Sequence, residues 1–243
     1  MKRVLFWTII ILILGGTVFV LAMLPRKEAG PANNNGQTAE VPSITATDWV
    51  KGSPEAGVTL VEYGDFQCPA CAAYHPLVDK LLKEKGQNFQ FVYRHFPLRQ
   101  HNNAKPAAYA AEAAGRQGKF FEMYDLIYQG QTNWAEKINP KDIFLDYARS
   151  LNLNLEQYNK DFNSAEAKGR VEADLQSAIK LGVNSTPTFY LMDSTPSTDS
   201  GQASSPQASK RIQPRNYDEF ASLIKQTNVD SINSPQATPN ATP

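Results

Sequence analysis

The two cysteines of this chain stand together as Cys68-Pro69-Ala70-Cys71. A C-x-x-C pair supports two chemistries. At a helix N-terminus, free N–H groups and the helix dipole stabilise the first thiolate, which becomes a nucleophile near neutral pH. The second thiol, one turn inward, then attacks the mixed disulfide and releases product. The competing chemistry is zinc: C-x-x-C is half of many zinc sites, and His95 and His101, downstream, would complete a Cys2His2 set. The motif lies between an apolar strand and a helix start, and a domain with ample core needs no structural metal. Disulfide chemistry without a metal is therefore expected, with Cys68 and Cys71 as the redox pair.

Two further features qualify as site residues. Glu62 interrupts the apolar run Val58-Thr59-Leu60-Val61-Glu62-Tyr63, six residues before Cys68. A buried, unpaired carboxylate is costly and sits protonated. Glu62 either points to a sheet edge and meets water or lysine, or relays a proton beneath Cys71. Thr186-Pro187 precedes the apolar segment Thr188-Phe189-Tyr190-Leu191, and a proline there belongs at a strand start, with trans the default. His75, on the helix after the motif, reads as a surface residue.

The elements that position these groups are legible in outline. Residues 58–63 read as a buried strand. A helix follows from Pro69, at the first helical position. Leu77, Val78, Leu81 and Leu82 form its buried face, Pro76 should kink it, and Gly86 ends it. Phe89, Phe91 and Tyr93 mark a second strand, so that strand, helix and strand suggest a βαβ unit. A helical stretch spans about 100–181: an Ala-rich piece to Arg116, Phe120 to Tyr128, a segment after Asn139-Pro140, one capped by Asn154 with Gln157, and a last helix marked by Val171, Leu175 and Ile179. Thr188–Leu191 and Lys210–Ile212 read as a hairpin around a solvated loop, 193–209. Asn216, with Glu219 three residues on, caps a final helix. The order is βαβ, helical insert, ββα.

The chain has 243 residues, with 24 Lys plus Arg against 24 Asp plus Glu, so no charge excess points to nucleic acid. Residues 4–24 are uncharged and almost wholly apolar. As a helix they would span roughly 31 Å, a bilayer's hydrocarbon thickness. They are longer than a signal peptide's apolar region, so a single-pass transmembrane anchor is expected over a cleaved signal. Residues 25–43 read as a flexible linker, 44–226 as one domain, and 227–243 as a disordered tail. The domain is placed outside the cytoplasm, at the cell membrane.

VTLVEYGDFQCPAC (58–71), VYRHFPL (92–98), AAYAAEAAGRQGKFFEMYD (107–125) and GVNSTPTFYL (182–191) resemble a DsbA-type thiol:disulfide oxidoreductase of the thioredoxin superfamily. The resemblance implies an α/β thioredoxin fold with an inserted helical domain and no cofactor. It makes Cys68 the attacking thiol and Cys71 the resolving one, with Pro69 and Ala70 tuning the pair. It puts Pro187 in cis opposite the sulfurs, gives Thr186 a substrate-binding backbone, and makes Glu62 the buried acid below the disulfide. The implied partners are exported, cysteine-containing client proteins and a membrane or envelope redox partner that recycles the disulfide. Reductase or isomerase work at the same site, or a zinc-binding structural module, are the alternatives. Ala70 stands where the best-known oxidases carry histidine, which implies a weaker oxidant. The 193–209 loop is longer than the family's usual turn.

Overall fold

The computed structural model describes residues 38–193 and 207–233. A six-stranded sheet runs β1 (Thr38–Val41), β6 (Gln207–Ile212), β5 (Thr188–Asp193), β3 (Val58–Gly64), β4 (Gln90–His95) and β2 (Trp49–Gly52) in spatial order. β3 and β4 are parallel and joined by α1 (Pro69–Lys85); β5 lies antiparallel on the other side of β3. Between β4 and β5 the chain forms α2 (Ala104–Gly115), α3 (Phe120–Gln129), α4 (Gln131–Trp134), α5 (Lys141–Ser150), α6 (Leu155–Asn163) and α7 (Ala165–Lys180), and after β6 comes α8 (Tyr217–Asn233). Counted from β3, the order is strand, helix, strand, six helices, then strand, strand, helix.

Strand alternation splits the core into two layers. Val58 and Leu60 of β3 join the larger cluster with α1, α8 and the insert, while Val61 and Tyr63 join a smaller one with Val92, Tyr190 and Ala178. α2 owes its central place to small side chains: Ala107, Ala108, Ala110, Ala111, Ala113 and Ala114 are all buried. They let neighbouring helices approach closely. The insert's caps follow its sequence: Asn154 accepts from the Gln157 N–H at 2.9 Å and Ser164 from the Ala167 N–H at 3.1 Å. Asn216 caps α8 through the Glu219 N–H at 3.0 Å.

Several expectations need correction. β1 lies inside the segment read as the linker 25–43. It pairs with β6, whose outer edge would otherwise be open, and it buries Val41. β2 was not anticipated; it pairs antiparallel with β4, and Trp49 stacks on Phe120 with ring centroids 4.6 Å apart. α8 continues past 226 to Asn233, because no proline or glycine interrupts Thr227 to Asn233. β5 and β6 extend into the loop's expected span, to Asp193 and from Gln207; residues 194–206 lie outside the described residues. Ile179 is exposed, and Ala178 takes the inward position on α7. His75 is buried rather than on the surface. The expected anchor, 4–24, lies outside the described residues; among those described, no helix is long and apolar enough to cross a membrane.

Candidate active site

β3 carries the chain into the site from the middle of the sheet. Glu62 shares the face of Val58 and Leu60 and stands opposite Tyr93 of β4 and Phe189 of β5. With paired strands on both sides, β3 offers no edge, so the sheet-edge reading of Glu62 fails. The side chain is 1% exposed, and its Oε2 has no hydrogen-bond partner among the described residues. Burial, and after it the charge on Cys68, pushes the carboxyl from 4.5 up to about 8. Such a group holds a proton at neutral pH and gives it up readily. Gly64 makes room beside it: a Cβ there would lie 2.5 Å from Tyr93 Cε2 and 2.9 Å from Glu62 Oε1.

The turn from β3 to α1 is stapled by side chains. Asp65, fully buried, accepts from the Gln67 N–H at 2.7 Å, the Leu98 N–H at 2.9 Å and His101 Nδ1 at 2.7 Å. Its own N–H donates to Cys71 Sγ at 3.5 Å. Gln131 of α4 donates through Nε2 to the Phe66 and Cys68 carbonyls at 2.7 and 3.0 Å. Gln67 accepts from the Asn103 N–H at 2.6 Å. The sulfurs are thus held by groups from β4's exit, α2's entry and α4, far apart in sequence.

Cys68 is the N-cap of α1 and Pro69 its first residue, where the missing proline N–H is harmless. Both cysteines are free thiols. A hydrogen bond from the Cys71 thiol does most to lower the Cys68 thiol, from 9.0 to about 5. Burial opposes the shift, while the Cys71 and Ala70 N–H groups add to it. Cys71, one turn inward and 1% exposed, moves the other way: burial first, then Cys68 and Glu62, push it well above the usual thiol range. One sulfur is a thiolate at neutral pH and the other a protected thiol, the asymmetry that dithiol–disulfide exchange requires.

The Thr186–Pro187 bond is cis, and the Thr186 carbonyl lies 3.5 Å from Cys68 Sγ, accepting from it while the thiol is protonated. Thr186 therefore meets Cys68 directly, Pro187 follows it in the chain, and Glu62 is close enough to Cys71 to raise its thiol. The histidines are otherwise engaged. His95 Nε2 bonds Glu112 Oε1 at 2.9 Å, His101 bonds Asp65, and His75 Nε2 bonds Asp125 Oδ1 at 2.8 Å. Among the described residues no cluster of three or more His, Cys, Asp or Glu side chains is set to hold a metal.

Sequence reasoning missed Gln131, the stapling by Asp65 and His101, and a buried phenol cluster. Tyr93 and Tyr128 share a hydrogen bond of 3.0 Å, and Tyr124 packs against both. Burial holds all three phenols well above their usual range. Tyr93 could have been found from its register opposite Glu62; Gln131 carries no local signal.

Residues 45–226 match the family described as Thioredoxin. Wolbachia pipientis alpha-DsbA1 superposes with a TM-score of 0.67 at 18% identity, over 79% of this chain and 96% of that one. BdbD from Bacillus subtilis, in its oxidised form, superposes at 0.64 with 23% identity, over 81% and 100%. A curated relative named Na(+)/H(+) antiporter NhaA 1, from Salinispora arenicola, is 41% identical over 154 residues, 62% of this chain. The match spans only 22% of that protein's length. The chain belongs to the thioredoxin family, and its fold is that of the DsbA structures it superposes on.

Proposed function

We propose that the domain works outside the cytoplasm, tethered by residues 4–24, and introduces disulfides into exported proteins. The observation that carries this reading is the opposite titration of the two sulfurs at the start of α1. A dithiol stabilised as the Cys68 thiolate makes its disulfide a better oxidant.

The reaction begins with the Cys68–Cys71 disulfide. A client thiolate attacks Cys68 Sγ; the new S–S bond forms as the Cys68–Cys71 bond breaks, and Cys71 leaves with the electron pair and takes a proton. A second client thiolate then attacks its partner sulfur, closing the client disulfide and releasing the Cys68 thiolate. Two electrons pass from client to protein. Glu62 exchanges the proton with Cys71, and the Thr186 backbone aligns the client strand. A membrane or envelope redox partner bearing a disulfide takes the two electrons back.

The test is equilibration of the full-length chain with glutathione, followed by mixing its oxidised form with a reduced, unfolded client. A potential above thioredoxin's, roughly −270 mV, together with stoichiometric client oxidation, fits the proposal. A potential at or below that value would make the domain a reductase. Carbonate extraction of membranes tests the tether: release of the chain into the soluble fraction would remove the anchor from the proposal.

A further inference from the structure

Beside Thr186, whose carbonyl faces Cys68, the protein opens a groove of about 980 Å³. The Ser185–Pro187 turn forms one wall, and Tyr74 of α1, Phe189 of β5 and Leu223 of α8 contribute apolar surface. Lys210, Arg211 and Arg215 line it against a single carboxylate, Glu219. That carboxylate is already engaged: it accepts from Arg215 Nε at 3.2 Å and from the Arg215 N–H at 2.9 Å. The lining is therefore cationic after internal pairing.

Arg211 is the best placed of the three. Its Nη2 donates to Thr188 Oγ1 at 3.3 Å, and that hydroxyl donates to the Ser185 carbonyl at 2.8 Å. The guanidinium is thereby held at the turn whose Thr186 carbonyl faces Cys68. Its Nε, however, is buried with no partner among the described residues. A buried charged donor without an acceptor is unfavourable, and the planar arginine fork matches a carboxylate. Thr188 opens β5 two positions after Thr186, so Arg211 stands about two residues from the turn that faces Cys68.

We propose that this groove selects client segments carrying an aspartate or glutamate about two residues from the reacting cysteine, with Arg211 receiving the carboxylate and Tyr74, Phe189 and Leu223 an apolar neighbour. This deepens the oxidoreductase reading and rests on it.

The test uses the full chain with Cys71→Ala and two peptides that differ only in Glu or Gln two residues from a single cysteine, each activated as a mixed disulfide with thionitrobenzoate. The Cys68 thiolate attacks the peptide sulfur, and thionitrobenzoate leaves with the electron pair as a coloured thiolate. Each rate is divided by that of the same peptide with glutathione. The Glu peptide should then react about tenfold faster than the Gln peptide, one charged hydrogen bond's worth. In Arg211→Met the ratio should fall toward one, and Arg211→Lys should keep part of it. A ratio near one with Arg211 present overturns the proposal, and a ratio that survives Arg211→Met overturns the role of Arg211. If Arg211→Met does not fold, salt decides: the ratio should shrink as ionic strength rises, and a salt-independent ratio overturns the proposal. If neither peptide reacts faster with Cys68 than with glutathione, the oxidoreductase reading itself falls, and this inference with it.

Discussion

Replacing Cys71 tests what holds Cys68 as a thiolate. The bond from the Cys71 thiol is the largest lowering influence on Cys68, ahead of the helix N–H groups. A hydrogen bond to a charged acceptor contributes about 1.5–3 kcal/mol, or about one to two pKa units. Cys71→Ala should therefore move the Cys68 midpoint from about 5 up to roughly 6–7. Cys71→Ser, which keeps a donor at the same place, should restore most of the shift. The ultraviolet absorbance of the thiolate, followed against pH in the reduced protein, reads the midpoint directly. Cys71 itself does not interfere in the parent chain, since burial keeps it protonated well beyond that range. A Cys71→Ala midpoint still at about 5 would refute the reasoning and leave the helix N-terminus as sufficient. The shift also has a sign in stability. Because the folded Cys68 titrates below its unfolded value of 9.0, its thiolate stabilises the reduced chain fully above pH 9. That contribution is lost as pH falls through about 5. The oxidised chain has no such term, so the stability difference between the two forms should change across that window.

Glu62→Gln should stabilise the reduced protein at pH 7 by on the order of 3 kcal/mol and do little at pH 4. The sign follows from a folded value raised from 4.5 to about 8: the acid's contribution is fully present below 4.5 and lost as pH rises through 8. Denaturant melts at the two pH values check it, and equal gains at both would contradict the buried-acid role. Cys71→Ala should accumulate mixed disulfides with client proteins through Cys68, whereas Cys68→Ala should trap few; non-reducing gels would show a reversed pattern if the roles were exchanged. Ala70→His should place an imidazole between the cysteines, lower the Cys68 midpoint and raise the potential by tens of millivolts, at about 30 mV per 1.4 kcal/mol. An unchanged glutathione equilibrium would show that the intervening dipeptide does not set the poise.

What could be read from sequence was what local periodicity encodes. The run 58–63, Pro69 at the helix start and the Asn216 cap each carry their signal within a few residues, and the βαβ…ββα order followed from them. The elements missed are those whose reason to exist lies elsewhere. β1 is a four-residue strand stabilised by the open edge of β6, and β2 is held by β4 and by Trp49 stacking on Phe120. The site divided along the same line. Cys68, Cys71, Glu62 and Thr186-Pro187 announce themselves by residue type and spacing. Gln131 is an ordinary glutamine until α4 brings it 63 residues back to the Cys68 carbonyl. His75 was misjudged because nothing local reveals Asp125 or the tyrosine rings that cover it.

The charge on Cys68 is also what times the proton at Glu62. Two causes raise the Glu62 carboxyl, burial and the Cys68 thiolate, and only the first is permanent. When Cys68 enters a mixed disulfide its charge disappears. Glu62 then loses one of the influences that kept it protonated and becomes a better base beside Cys71, at the moment Cys71 must lose its proton to attack. Once Cys68 is a thiolate again, Glu62 is pushed back up and keeps a proton available for the pair. Strand register makes this coupling local: Glu62, on the α1-facing side of central β3, sits in the layer that contains both sulfurs. Neutral blocking of Cys68 with iodoacetamide mimics the mixed disulfide. It should lower the Glu62 midpoint from about 8, seen as earlier loss of the protonated carboxyl stretch in infrared difference spectra. The Glu62→Gln variant identifies that band by its absence. A Glu62 midpoint that stays in place when Cys68 is blocked would mean that burial alone sets it, and that the acid does not respond to the reaction.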